Sequence, residues 1–361
     1  MHATRHVRPA SILFALSLLL VAGAFIYAAS QIKIEDSNLA YDWKIIWQSI
    51  RNGNIQYGDG LYNPPWGLLF ILPLSFLPLQ TGWGIWIFLT MAVLVFSVPT
   101  DPKYPFWGRL LVIFALVMAY PTLRLYADAN VDALIVVGIW LLVSGYRQQN
   151  SWLLALGALI TTLKPQAASL LLLMLAYAGW HDLPRQVWLR AAMLIGAVVF
   201  FSLLWWGPAW FDANFVSGLP QENGISLPAL LNKWNLPPVA ILMTQLVVAV
   251  LTLSIVMQAQ PIFSPINTAL LISASLLVSP YANAHSLILV LAFGLALLLL
   301  EHPAWGILLL LLYDAPFLSL FAGLPVYQAA LSSYWTLVLC LTCLSLCWLA
   351  RPASDLPEIR H

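Results

Sequence analysis

The strongest constraint on this chain is the recurrence of apolar runs about as long as a bilayer is thick. Stretches near 10–29, 82–98, 107–123, 130–145, 190–206, 237–257, 265–279, 284–300, 304–320 and 329–350 are nearly free of charge. A helix of about 20 apolar residues crosses ~30 Å of hydrocarbon. A soluble surface needs roughly a quarter of its residues charged, whereas here 8% are charged and 61% hydrophobic, with a mean hydropathy of +0.87. The sequence is that of an all-α, polytopic integral membrane protein forming a single membrane domain over 1–361, with membrane lipids as its immediate surroundings. Fifteen Lys and Arg against 14 Asp and Glu leave a net charge of +1. No basic field exists to hold nucleic acid, and that class of partner is excluded.

Two apolar stretches are irregular. Residues 151–180 are interrupted by Lys164-Pro165, and residues 64–79 contain Pro64, Pro65, Pro73 and Pro78. The basic residues Arg5, Arg8, Lys103, Arg109, Arg147, Arg185, Arg190, Arg351 and Arg360 lie near span ends, and a positive-inside bias assigns them to the cytoplasm. That parity makes 82–98 a span and 64–79 an interfacial helix. It also makes 151–180 a pair of short helices meeting at Lys164-Pro165 on the outer side, about 12 transmembrane helices in all. The expected divisions are a first span at 10–29, an extracytoplasmic loop with interfacial helices at 30–80, a bundle at 82–350 and a cytoplasmic tail at 351–361. Both termini are then cytoplasmic in a multi-pass plasma-membrane protein. Arg5 and Arg8 before 10–29 have the outline of a secretory signal, but a retained first helix is expected because many spans follow. Cys340, Cys343 and Cys347 share one apolar run at helical spacing and read as packing residues.

The polar residues concentrate in the outer segments, which hold Glu35, Asp36, Asp42, Asp59, Asp128, Asp132, Asp212 and Glu222. Between Asp36 and Gly53, Trp43, Ile45, Ile46, Trp47 and Ile50 recur at helical spacing opposite Lys44, Gln48 and Arg51. This predicts an amphipathic helix lying on the membrane. Asp42 at its start reads either as an N-cap or as a carboxylate with a chemical task. Tyr41, Trp43, Trp47, Tyr57, Tyr62 and Trp66 read as an interfacial aromatic belt. Glu35-Asp36 is the only adjacent acidic pair in the outer loops and lacks a metal-binding spacing, so no metal is expected.

After the acid that opens this helix come Gly53, Tyr57, Tyr62-Asn-Pro-Pro-Trp66 and a run ending Leu-Pro-Leu-Ser-Phe-Leu-Pro78. Further on stand Ala127-Asp-Ala-Asn130, Thr-Leu-Lys164-Pro165 and Ser279-Pro-Tyr-Ala-Asn-Ala-His285. In this order the segments resemble glycosyltransferase family 87 of the GT-C superfamily over roughly residues 10–300. The family's Gly-Gln-x-Asn element is represented here by Asn130 alone. The resemblance implies a GT-C-like fold and a hexose, mannose in that family, moved from a polyprenyl-phosphate donor to a lipid or glycan hydroxyl. No cofactor is implied, although some GT-C relatives use a divalent cation.

Such a transfer needs a base for the acceptor hydroxyl and a cation for the leaving phosphate. A carboxylate at the membrane surface suits the first role, which falls to Asp42, with Asp36 second. Lys164 is the candidate for the donor phosphate, since the proline after it opens the helix around a lysine that would otherwise snorkel. Arg124 either assists it or pairs with Asp128 or Asp132. Tyr62, Asn130 and His285 are candidate substrate contacts. A secondary transporter or flippase of a lipid-linked sugar would also use a broken helix with an intramembrane lysine, and a degenerate scaffold relative would retain the same outline.

Overall fold

The computed structural model describes residues 20, 22–35, 37–52, 57, 62–213, 224–259, 261–321 and 328–350, with backbone alone over 317–321 and 328–330. Most of the first apolar run, Arg5, Arg8, Asp36, Gly53, Asp59, Glu222 and the tail 351–361 lie outside them. All regular elements among the described residues are helices. A helix over 22–30 (α1) is followed by α2 (Tyr41–Arg51), α3 (Pro65–Ser75), α4 (Leu79–Ser97), α5 (Phe106–Met118), α6 (Tyr120–Asp128), α7 (Asp132–Arg147) and α8 (Ser151–Thr161). After a 3-10 turn at Pro165–Ala168 come α9 (Ser169–Asp182), α10 (Arg185–Phe211), α11 (Leu227–Lys233), α12 (Pro238–Gln258) and α13 (Pro265–Val278). The chain closes with α14 (Ala284–Glu301), α15 (Pro303–Phe321) and α16 (Gln328–Ala350).

Five helices among the described residues are long and apolar enough to cross a membrane: α4, α10, α12, α14 and the Leu331–Ala350 part of α16. The expected span at 107–123 is bent by 50° between α5 and α6, and the pair counts as a sixth. The helices α3, α8, α13 and the Pro303–Pro316 part of α15 are apolar but shorter. Exposure sorts the long helices. In α10 and α12 only 11% of the apolar window is buried inside the protein, against 78% in α14. Phe200, Phe201, Leu204, Trp205, Val247 and Val250 therefore face outward, an apolar surface far larger than water tolerates and suited to lipid. The centre is α13 with α14, whose residues are buried almost all round. That is the pattern of a helix surrounded by other helices.

The helices α7 and α8 pack in close contact and are joined by a short turn in which the Asn150 side chain accepts from the backbone N–H groups of Trp152 and Leu153. Its contact is made by small residues. A Cβ at Gly157 would lie 2.4 Å from the Leu142 backbone nitrogen, and one at Gly138 would lie 2.7 Å from the Thr161 nitrogen. Backbone-to-backbone approach of this kind is how helices associate where there is no water to drive them together. Consequently α8 presents its C-terminal end, and Lys164 beyond it, at a fixed height beside the start of α7.

The α2 helix forms over Tyr41–Arg51, and Trp43 and Ile46 of its apolar face are buried against protein. Trp43 is fully buried against Trp86, with ring centroids 6.1 Å apart, and a Cβ at Gly82 would sit 2.4 Å from the Trp43 ring. The indole N–H of Trp43 donates to the Leu79 carbonyl and that of Trp47 to the Leu77 carbonyl, each at 2.9 Å. Trp66 is buried and donates to Thr162 Oγ1 at 3.1 Å. The aromatic-belt reading is therefore corrected for Trp43 and Trp66: a buried indole needs an acceptor, and the Leu79 carbonyl and Thr162 supply one. Tyr41, by contrast, is exposed.

Gly157→Ala is expected to push α7 off α8 and to lower stability by about 1–3 kcal/mol. Thermal unfolding in detergent reads this as a lower midpoint, and an unchanged midpoint would contradict the backbone contact.

Candidate functional site

Each part of the site is placed by a local break in regular structure. Pro165 cannot continue α8, and the residue before a proline is driven out of the helical region. Lys164 accordingly has φ −136° and stands at the head of the 3-10 turn. Such a break frees backbone groups that hydrocarbon cannot satisfy. The first loop covers them: Asn63 Nδ2 donates to the Leu163 carbonyl at 3.4 Å, and Trp66 reaches Thr162, itself bonded back to Ala158 at 2.8 Å. Gly67 admits the Leu163 side chain, which would lie 2.3 Å from any Cβ there. The Asn-Pro-Pro-Trp-Gly segment is thus a cover fitted to a helix break about 100 residues later in the chain.

Around Lys164 the structure brings four of the expected residues into one network. Lys164 Nζ donates to Asn130 Oδ1 at 2.6 Å, and Asn130 Nδ2 donates to Asp42 Oδ2 at 2.5 Å. The same ammonium lies 3.1 Å from His285 Nε2. An ammonium offers only protons, so Nε2 accepts, and in a neutral ring the proton then sits on Nδ1, which is 3.7 Å from Asp128 Oδ2. One amide therefore joins the candidate base to the candidate phosphate ligand. Asp42 is half-buried, and Asn130 is its one hydrogen-bond partner among the described residues. It is not an N-cap: Ala40 holds that position without a side-chain bond, and Asp42 stands in the first turn, where the helix dipole favours a carboxylate.

Arg124 takes the alternative course, pairing with Asp128 one turn on at 3.2 Å while its side chain stays 48% exposed. Tyr62 lies at the margin, with its carbonyl accepting from Trp210 Nε1 at 3.1 Å. Its phenol joins Asp42 and Asp132 in acting on Tyr281. Burial is the main cause that raises the Tyr281 phenol above its ordinary range, the Asn283 amide opposes the rise, and those three groups add to it. Tyr62, Tyr281 and Asp42 therefore share one electrostatic neighbourhood. Beside Tyr62, an open apolar groove of about 570 Å³ is lined by Leu203, Gly207, Pro208, Trp210, Phe211 and Asp212. Asp36, the second candidate base, lies outside the described residues.

Two alanines at this point adopt left-handed backbone, Ala40 at φ 55° and Ala129 at φ 53°. An L-residue there is disfavoured by roughly 1–2 kcal/mol, and strain of this kind collects at sites where geometry matters. The two are held together by the Ala40 N–H donating to the Ala127 carbonyl at 2.5 Å. This contact fixes the start of α2, and with it Asp42, against the Ala127–Asn130 element.

Three residues of the site, Asp132, Ser286 and Asp314, carry no site role in the sequence reading. Asp132 reads there as an outer-loop acid and a partner for Arg124, yet its side chain is 0% exposed and Oδ1 lies 2.9 Å from Lys164 Nζ. The angle is not that of a hydrogen bond, so the contact is an ion pair. Oδ2 accepts from Ser286 Oγ at 3.1 Å and faces His285 Nε2 at 3.6 Å. The available signal was an acid standing inside the start of an apolar run, where charge requires a partner. The third is Asp314 of α15, which accepts the Tyr120 N–H at 2.7 Å and so anchors the first residue of α6. A C-terminal helix thereby holds the helix that carries Arg124 and Asp128. Among the described residues no three His, Cys, Asp or Glu side chains converge on a point fit for a metal ion.

The site occupies one end of the bundle. His285 and Glu301 sit near opposite ends of the 18-residue α14, and Glu301 pairs with Lys103 at 3.1 Å. Asp132 and Arg147 likewise begin and end the 16-residue α7. At 1.5 Å per residue, about 25 Å separates the network from Lys103 and Arg147.

No known family's model matches the sequence, and comparison with curated proteins finds no relative.

Asn130→Leu is expected to remove the donor that meets Asp42 and the acceptor that meets Lys164, lowering the unfolding midpoint by an amount equivalent to about 1–3 kcal/mol. An unchanged midpoint in thermal unfolding would contradict the Asp42–Asn130–Lys164 link.

Proposed function

We propose that this protein is a membrane glycosyltransferase of the GT-C type, moving a hexose, mannose by its resemblance to family 87, from a polyprenyl phosphate to a hydroxyl of a lipid or glycan. The observation that carries the reading is the Asp42–Asn130–Lys164 link: a water-accessible carboxylate and an ammonium flank the same amide. In the proposed step the acceptor oxygen attacks C1 of the sugar while Asp42 takes its proton. The bond from C1 to the phosphate oxygen breaks, and its electron pair leaves with the phosphate. A single in-line displacement of this kind inverts C1 and requires no enzyme nucleophile.

Lys164 and Arg124 would receive the departing phosphate charge, as preorganised cations do in a water-poor site. Tyr62, Asn130 and His285 would contact the substrates. The groove beside Tyr62 suits an isoprenoid chain, being apolar and open. The reaction is proposed for the extracytoplasmic face of the plasma membrane, because the network lies at the end of the bundle away from Lys103 and Arg147. A twelve-span GT-C topology with both termini in the cytoplasm belongs to the same proposal.

A secondary transporter or flippase is the second reading. It is favoured by the fact that Lys164 is already enclosed by protein groups, ion-paired with Asp132 and hydrogen-bonded to Asn130 and His285. Buried charge pairs at a broken helix are what ion-coupled carriers use.

The test is radiolabelled sugar transfer from polyprenyl-phosphate-mannose in proteoliposomes. The wild type is expected to form a glycoside, and Asp42→Asn to slow it by about 10²–10⁴-fold, the usual contribution of a positioned base. Label that enters the vesicles without a glycosidic product would move the assignment to a transporter, and undiminished transfer by Asp42→Asn would remove Asp42 as the base.

A further inference from the structure

We infer that Asp132 is a positioning residue: acting through Lys164 and Asn130, it sets the direction in which the Asp42 carboxylate is held. The inference rests on the assignment of Asp42 as the base. Asp132 cannot touch a substrate, because its side chain is completely buried. Its two oxygens instead meet three groups from two other parts of the chain. Oδ1 faces the ammonium at the helix break, and Oδ2 faces Ser286 and His285 in the first turn of α14.

The argument turns on what a primary amide can do. Asn130 has one acceptor and one donor group, and the two point in opposite directions. With its oxygen 2.6 Å from the ammonium, its NH2 must face Asp42, where it is found at 2.5 Å. A flipped amide would set NH2 against NH3⁺ and oxygen against carboxylate, two repulsive contacts in place of two attractive ones. The orientation of the amide is therefore decided by where the lysine charge stands, and that charge stands where Asp132 places it. The ammonium has two further protein contacts, but His285 and Asn130 are neutral acceptors that do not balance it. Asp132 supplies the opposite charge within 3 Å, at 2.9 Å, from the rigid start of α7. Removing that charge frees the ammonium to swing toward water or toward Asp42 itself, and the amide then no longer has one preferred orientation. Asp42 would keep its place on α2 and lose its aim.

Two measurements on the full chain test this. The first is modification of Lys164 by a sulfonated amine-reactive ester, quantified by peptide mass spectrometry against the other lysines. Asp132→Asn is expected to raise it several-fold. Ser286→Ala, which removes one neutral bond to Asp132 and keeps the charge, is expected to raise it less. This second variant preserves the test if Asp132→Asn fails to fold.

The second measurement is a cycle of kcat values for sugar transfer with Asp132→Asn, Asn130→Ala and both together. Each single variant is expected to lower kcat by about tenfold or more, a larger factor than any rise in donor KM, and the double to be no slower than the slower single. Groups acting in series behave in this way. Multiplying effects would mean that Asp132 serves only the packing of α7 and would overturn the inference. Unchanged Lys164 labelling in a protein that does transfer sugar also overturns it and leaves the base assignment intact. Raised labelling in a wild-type protein that forms no glycoside does the reverse, removing the base and leaving the hold of Asp132 on Lys164 standing.

Discussion

A buried ion pair at an interrupted helix is the constraint around which the rest of this molecule is organised. Lys164 follows α8 at a point where proline ends the hydrogen-bond ladder, and Asp132 meets it at 2.9 Å with no exposure to solvent. Two charges in a medium this apolar each carry several kcal/mol of desolvation cost, which mutual attraction offsets only when further hydrogen bonds complete both groups. Asn130, His285 and Ser286 do so. Segments widely separated in sequence must therefore arrive together. A chain in which any one of them failed to dock would leave an unpartnered charge inside the bundle.

The surrounding architecture supplies that convergence with contacts of ordinary kinds. Small residues bring α7 and α8 to backbone contact, which sets Asp132 and Lys164 at one level. Asp314 holds the first residue of α6, and the Ala40–Ala127 bond joins the last turn of α6 to the start of α2. Indole N–H groups fasten the first loop to the carbonyls at Leu77 and Leu79 and to Thr162. The first loop is consequently part of the folded body at both ends of its described portion, and Asp42 is as firmly placed as residues within the helices. The left-handed backbone at Ala40 and Ala129 persists because neighbours on both sides determine it.

The geometry also modifies the chemistry that the side chains suggest singly. A free lysine near a membrane surface is a phosphate ligand in waiting, whereas Lys164 is enclosed by an acid, an amide and an imidazole. Its charge is turned inward as much as outward, so it organises Asp42 as well as facing a ligand. Arg124, half-exposed and tied among the described residues only to a carboxylate on its own helix, is the more accessible cation.

Much of this was legible in the chain before folding. Membrane class, helical content, the helix pair broken at Lys164-Pro165 and the amphipathic helix opened by Asp42 follow from apolar run length, proline chemistry and 3.6-residue periodicity, all of them local properties. The same residues could not reveal their partners. Trp43 and Trp66 carry side chains equally suited to headgroups and to a buried acceptor, and only the position of Leu79 and Thr162 decides between these. Asp132 looked like one loop acid among several because burial depends on what packs over a residue, not on its neighbours in sequence. That Asp42, Asn130, Lys164, Asp132 and His285 form one network was settled by the packing of α2, α7, α8 and α14, since hydrogen bonds act over about 3 Å whatever the distance along the chain.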